Sequence, residues 1–256
     1  MSGAAGYPGL SGHHIFITGA ARGLGKSVAD KLAACGATVA VADVDADGCA
    51  AVAKAICAAG GTALAYPLDV ALRDEFLEAA ARFAKSCGRI DAVVNNAMLL
   101  RYEPVENITP DTLNRMTAIG INGSVWGAQA LLAHYDAVRG GAIVNMASPV
   151  AEKGFPNTAA YSLVKGAIVT LTKVLAAELG PRNVRVNAIA PGSVPTPGAL
   201  GLNDAAEYAR RSRSIPLRRL GREEDNAEAC AFLLSGAASF INGEILHVDG
   251  GIAAAG

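Results

Sequence analysis

The sequence predicts an α/β fold, a doubly wound parallel sheet of about seven strands with helices on both faces. Two observations carry this. Short β-rich runs alternate with longer stretches of helical periodicity along the 256 residues. The intervening helices are long enough for right-handed crossovers, which join successive strands in parallel and cover both faces of the sheet. A third observation sets the domain count. No linker or repeat interrupts the pattern, and 52% apolar residues can fill one large core, so residues 1–256 form a single domain.

Each element follows from local signals. "HHIFIT" is the first strand, and "GKSVADKLAACG" a helix that Gly36 can terminate. "TVAVAD" is the second strand and "DADGCAAVAKAICAAG" an alanine-rich helix. "TALAYPLD", the helix "RDEFLEAAARFAKSCG" and the strand "IDAVVNN" follow. A long helix starts at "TPDTLNRM", where Thr109 can cap and Pro110 can occupy the first turn. Then come "GGAIVNMAS" as strand five, "TAAYSLVKGAIVTLTKVLAAELG" as a helix and "VRVNAIA" as strand six. After the irregular "PGSVPTPGALGLND" come one or two helices and a last strand near "GEILHV".

Composition removes several functions. A formal charge of −1 offers no polybasic surface for nucleic acid or an anionic membrane. Five cysteines without C-x-x-C spacing fit reduced thiols of a cytoplasmic protein. Four histidines form no H-E-x-x-H, so no metal is expected. No run of about 18 apolar residues suggests a membrane span. "MSGAAGYPGLSG" lacks a secretion pattern and reads as a flexible arm, residues 1–12.

The first strand runs into "TGAARGLG" and then a helix. Gly19, Gly23 and Gly25, with Arg22 and Leu24 between them, let backbone approach a phosphate that meets the helix N-terminus. Asp43, closing strand two, can accept hydrogen bonds from an adenosine ribose and repels a 2′-phosphate, which favours NAD over NADP. Arg22 pulls the other way, but placing the Asp43 charge against a dianion costs more than forgoing one arginine contact. Arg22 is otherwise a solvated loop side chain.

In "AAYSLVKGAI" Tyr161 and Lys165 stand at i and i+4, on one face of an otherwise apolar helix. Ser148 ends strand five, and strand six ends in "NAIAPGSVPT" with Pro191 and Gly192. With these motifs in this order, from His13 to Gly251, the chain resembles the short, single-domain branch of the short-chain dehydrogenase/reductase family, whose fold is the Rossmann fold. The resemblance implies Tyr161 as general acid/base, Lys165 lowering its pKa and holding the nicotinamide ribose, and Ser148 holding the substrate oxygen. It implies Asn122 as the anchor of a proton-relay water. It further implies Asp69 and Val70 at the adenine, Asn95, Asn96 and Ala97 beneath the adenosine ribose, and Val194 and Thr196 at the carboxamide. The closing "VDGG" implies a homotetramer.

The chain departs from the family at Met98, where glycine is usual, and at Leu163 and Val164, where Ala-Ser is usual. Val150, Phe155, Met98 and Leu99 suggest an apolar pocket for a small-molecule substrate, and residues 193–222 are expected to form its lid. Arg210, Arg211, Arg213, Arg218, Arg219 and Arg222 have two readings, recruitment of an acidic substrate or, as the main one, a solvated helical face balanced by Glu207, Glu223 and Glu224. The expected function is NAD-dependent oxidation of a secondary alcohol, cyclic or polyol. An NADPH-dependent carbonyl reductase, such as a 3-oxoacyl-carrier-protein reductase, is the alternative, and a non-catalytic dinucleotide sensor the third.

Overall fold

The computed structural model describes residues 7–198 and 205–255. Its seven strands are β1 (His14–Thr18), β2 (Thr38–Asp43), β3 (Thr62–Pro67), β4 (Ala92–Asn95), β5 (Gly141–Met146), β6 (Val184–Pro191) and β7 (Ile245–Val248). They form one sheet in the order β3-β2-β1-β4-β5-β6-β7, and every pairing is parallel. This is the doubly wound, Rossmann-like sheet that the alternating pattern predicts.

Successive residues of a strand point to opposite faces, so each strand feeds two cores. Ile15 and Ile17 of β1 pack with α1 (Gly23–Ala34), α2 (Ala46–Ala58) and α8 (Glu223–Leu234). Phe16, between them, packs on the other face with α3 (Arg73–Cys87), α5 (Gly123–His134) and α6 (Ala159–Leu179). There it meets the rings of Tyr66, Phe76 and Phe83 at centroid distances of 6.1, 5.6 and 5.9 Å.

The long helix after "TPDTLNRM" is in fact interrupted. It consists of α4 (Pro110–Thr117), a π turn at Ala118–Asn122, and α5. Thr109 caps α4 as expected, its hydroxyl accepting from the Thr112 N–H at 3.1 Å. The π turn changes which residues of this segment face inward, with consequences below.

One further expectation needs correcting within the described residues; residues 1–6 of the expected arm lie outside them. Residues 7–12 are not a loose arm. Leu10 is fully buried, the Pro8 carbonyl accepts from the Gly236 N–H at 2.8 Å, and the Tyr7 hydroxyl donates to Glu228 at 2.9 Å. Glycine and serine made the segment look unanchored, whereas one leucine fixes it. Of the expected lid 193–222, residues 199–204 lie outside the described residues. The rest contains α7 (Ala205–Ser214), and its far end is tied down by buried Ile215 and by the Leu217 N–H on the Gly250 carbonyl at 3.2 Å.

Strand order reverses between β1 and β4, and ligands bind such sheets at the carboxyl ends of the strands flanking the reversal. The sequence-predicted site residues, Asn122 excepted, gather there.

Candidate active site

A cavity of about 530 Å³ opens along the carboxyl ends of the strands. At one end it is made from the turn after β1. Gly19 and Gly23 have φ of +65° and +58°, which glycine adopts without strain. A Cβ on Gly19 would stand 2.7 Å from Asn96 Nδ2, and one on Gly25 would collide with the Gly19 carbonyl. No side chain caps α1, so its first N–H groups remain for an anion, where the helix dipole favours negative charge. The loop is thus shaped by close backbone approach, and it fits the pyrophosphate of a dinucleotide.

The floor of this end is a hydrogen-bond knot. The Thr18 hydroxyl accepts from the N–H groups of Asn96 and Ala97 at 3.0 and 3.1 Å, and Asn96 Nδ2 donates to the carbonyls of Thr18 and Gly19 at 2.9 Å. Asn95 is buried below the cavity and donates to Asn145 at 2.8 Å. Asp43 lines the cavity, its carboxylate accepting from the N–H groups of Ala21 and Asp45 at 3.2 and 3.1 Å. Each oxygen keeps acceptor capacity for a ribose hydroxyl. Arg22, Leu24, Asp69 and Val70 also line this end. The Asp69 carboxylate is held by Arg115 Nη2 at 2.6 Å, a partner that sequence reasoning missed. No local pattern links those two positions, which lie 46 residues apart.

At the other end, Ser148 follows β5 and is buried, while Tyr161 and Lys165 project from the first turns of α6. The Lys165 ammonium stands 5.5 Å from the Tyr161 ring centroid and donates to the Met146 carbonyl at 2.5 Å. Burial lowers Lys165 from 10.5 to about 7. The Tyr161 hydroxyl is raised above the ordinary phenol range by burial, then by the nearby Tyr102, against a hydrogen bond with Ser148 that lowers it. The expected lowering by Lys165 is therefore not what this geometry gives, because the ammonium is turned to Met146. Tyr161 is a protonated phenol here, ready to donate and in need of added positive charge to act as a base. Pro191, Gly192, Val194 and Thr196 complete the wall, and a Cβ on Gly192 would stand 2.7 Å from the Asp249 Cα.

Asn122 is not part of the site. It is exposed, forms no side-chain hydrogen bond with another described residue and does not line the cavity. The residue of the π turn that faces inward is Gly120, two positions earlier. It is buried, and a Cβ there would collide with Val164 Cγ1 and lie 3.0 Å from Met98 Sδ. The two departures noted in the sequence, Met98 and Val164, thus share a third: large side chains at 98 and 164 fill the space above a glycine at 120. Two enlarged positions near one site were the signal that a nearby residue had to be small.

Tyr102, which closes the stretch 98–102 expected in the pocket wall, and Tyr208 and Arg211 of the expected lid segment also line the catalytic end. The Tyr102 ring meets that of Tyr161 edge-on, at 5.7 Å and 65°. Within the arginine-rich segment, Arg210 and Arg211 share Glu207 as expected, whereas Arg219 pairs with Asp225 rather than an expected glutamate. Arg210 donates to Glu207 at 2.7 Å through two nitrogens, and Arg219 to Asp225 at 2.6 Å. Phe155 and Val150 line a separate groove, not this cavity. No described helix is long and apolar enough to cross a membrane.

Comparison with known proteins gives the same placement. A family model described as Enoyl-(Acyl carrier protein) reductase matches residues 19–253. A D-threitol dehydrogenase of Mycolicibacterium smegmatis is 36% identical over 242 residues, covering 94% of this chain and 93% of its own. The solved 3-ketoacyl-(acyl-carrier-protein) reductase of Brucella melitensis, complexed with NADH, is 34% identical with a TM-score of 0.89, covering 95% of this chain and 99% of that one. A gluconate 5-dehydrogenase of Burkholderia cenocepacia, in complex with NADP and tartrate, is 32% identical with a TM-score of 0.91, over 96% and 97% of the two chains.

Proposed function

The chain belongs to the short-chain dehydrogenase/reductase family of nicotinamide-dependent oxidoreductases, and from that premise we propose that it oxidises a secondary alcohol, cyclic or polyol, with NAD. The observation that carries the choice of cofactor is Asp43 at the cavity wall after β2, a fixed negative charge where a 2′-phosphate would have to lie. A relative acting on D-threitol supports the alcohol class.

A nicotinamide bound in the catalytic half supplies the hydride acceptor. The chain's own residues do the rest. The glycine loop and the open N-terminus of α1 bind the pyrophosphate, and Asp43 orients the adenosine ribose. Ser148 hydrogen-bonds the substrate oxygen and stabilises charge developing on it. Tyr161, once it has lost its own proton to solvent, takes the hydroxyl proton as the phenolate, and the positive charge of Lys165, turned from Met146 towards the phenol oxygen, would favour that phenolate. The buried surroundings of both groups keep bulk water from competing for the proton.

The reading extends to a cytoplasmic homotetramer, supported by apolar Leu163 and Val174 standing exposed on α6. A second reading, reduction of a carbonyl with NADPH, is favoured by the burial of Tyr161, which raises its hydroxyl above the ordinary phenol range and so favours the form that donates. Initial rates with NAD and NADP side by side, over secondary alcohols in one direction and ketones in the other, separate the two. Oxidation with NAD at least about tenfold faster than with NADP supports the first. Turnover confined to NADPH and ketones overturns it.

A further inference from the structure

We propose that Arg211 forms a subsite for a monoanionic carboxylate on the substrate, so that the alcohol handled here is a hydroxy acid. This rests on the reading of Tyr161 as acid/base, and names its substrate class.

Position comes first. Arg211, on α7, lines the same cavity as Ser148 and Tyr161. Tyr102 neighbours both groups, its ring edge-on to Tyr161 at 5.7 Å and its phenol under the positive charge of Arg211. A substrate whose hydroxyl sits at Tyr161 would run along the Tyr102 ring towards the guanidinium.

Charge points the same way. Arg211 Nε donates to Glu207 Oε1 at 2.7 Å, but that oxygen also accepts from Arg210 Nη2 at 2.7 Å. Arg210 further engages Oε2 through its own Nε at 2.7 Å. Among the described residues, one carboxylate thus serves two guanidinium groups. The terminal nitrogens of Arg211 have no partner among the described residues. The acidic residues lining the cavity, Asp43 and Asp69, both stand at the adenosine end, and Asp69 already holds Arg115. Among the described residues that line the cavity, the catalytic half thus has the cations Arg211 and Lys165 and no carboxylate.

The single charge of one guanidinium matches a carboxylate better than a phosphate dianion. The planar pair of terminal nitrogens also suits a two-oxygen acceptor. Met98, Leu99 and Val194 line the same cavity and ask for an apolar body. The substrate class that fits is a secondary alcohol with an apolar, cyclic frame and a carboxylate several bonds from the carbinol.

The test uses the full chain, with and without NADH, and two probes that cannot be oxidised at a carbinol: cyclohexanecarboxylate and cyclohexanecarboxamide, titrated by calorimetry. The carboxylate should bind about tenfold tighter or better, the usual scale of a charge-assisted pair, and more weakly as salt rises. That preference should collapse in Arg211→Gln, survive in part in Arg211→Lys and persist in Arg213→Gln, which removes an exposed arginine of the same helix. Equal binding of the two probes, or a preference that survives Arg211→Gln, overturns the proposal. Neither probe needs turnover. Failure of every alcohol to react would therefore overturn the Tyr161 reading alone, and the titration would still decide the subsite.

Discussion

At the adenosine end of the cavity the protein presents mostly backbone: a glycine turn with two residues at positive φ, the uncapped start of α1, and N–H groups pinned by Thr18 and Asn96. At the catalytic end it presents side chains, from β5, α6, the π turn and α7. Backbone can hold only what approaches closely, so this end is strict about its glycines and indifferent to substrate. Side chains can be exchanged in concert, and Met98 and Val164 together fill the space over Gly120. The adenosine end is thus the shared part of the machine, and the catalytic end the part that chooses substrate.

That contrast breaks most sharply at Lys165, the costliest residue of the catalytic end. Lys165→Met should lower turnover by about 10²–10⁴-fold, the range of an acid–base contribution, and yet stabilise the fold. Its pKa falls from 10.5 to about 7 on folding, so between those values the unfolded chain holds a proton that the folded chain lacks. Stability rises with pH across that window, and below it burial of the ammonium costs most. The gain in melting temperature for Lys165→Met should therefore be larger below pH 7 than above 10.5. A variant less stable at every pH would contradict this.

At the adenosine end, Gly25→Ala drives a methyl group into the Gly19 carbonyl. Overpacking of this kind costs about 1–3 kcal/mol, and cofactor affinity, read by fluorescence titration of NADH, should fall with it for every substrate alike. A smaller change is expected from Asp43→Asn. It removes the repulsion of a 2′-phosphate without disturbing the loop, and should move the NAD-to-NADP ratio of kcat/KM by about tenfold towards NADP. The smallest effect belongs to Asn122→Ala. An exposed side chain with no described hydrogen bond should change stability by under about 0.5 kcal/mol and leave turnover essentially as it was. A large loss there would restore Asn122 to the site.

The same division explains what could be read in the sequence. Gly19, Gly23, Gly25 and Asp43 were legible because backbone geometry restricts the residue type at a place fixed by the strand–turn–helix order. Thr109 with Pro110 and the i, i+4 pair of Tyr161 and Lys165 were legible for the same local reason. Gly120 was not. Its role depends on a π turn that shifts the inward face, and on Met98 and Val164, which arrive from β4 and α6. Asn122 drew the eye as the polar residue of that segment, but residues two apart on a helix face different ways. Arg211 was lost among five other arginines, since the sequence does not say which one turns inward. Leu10 shows that a glycine-rich start can hide an anchor.

The comparison between the two ends stands or falls on Tyr161→Phe, measured twice: NADH formation from secondary alcohols, and NADH binding to the same protein. Chemistry confined to the catalytic end predicts that turnover falls by about 10²–10⁴-fold while cofactor affinity stays within a few-fold. Substantial turnover in the variant would contradict the account, because the proton would then be moving through some other group.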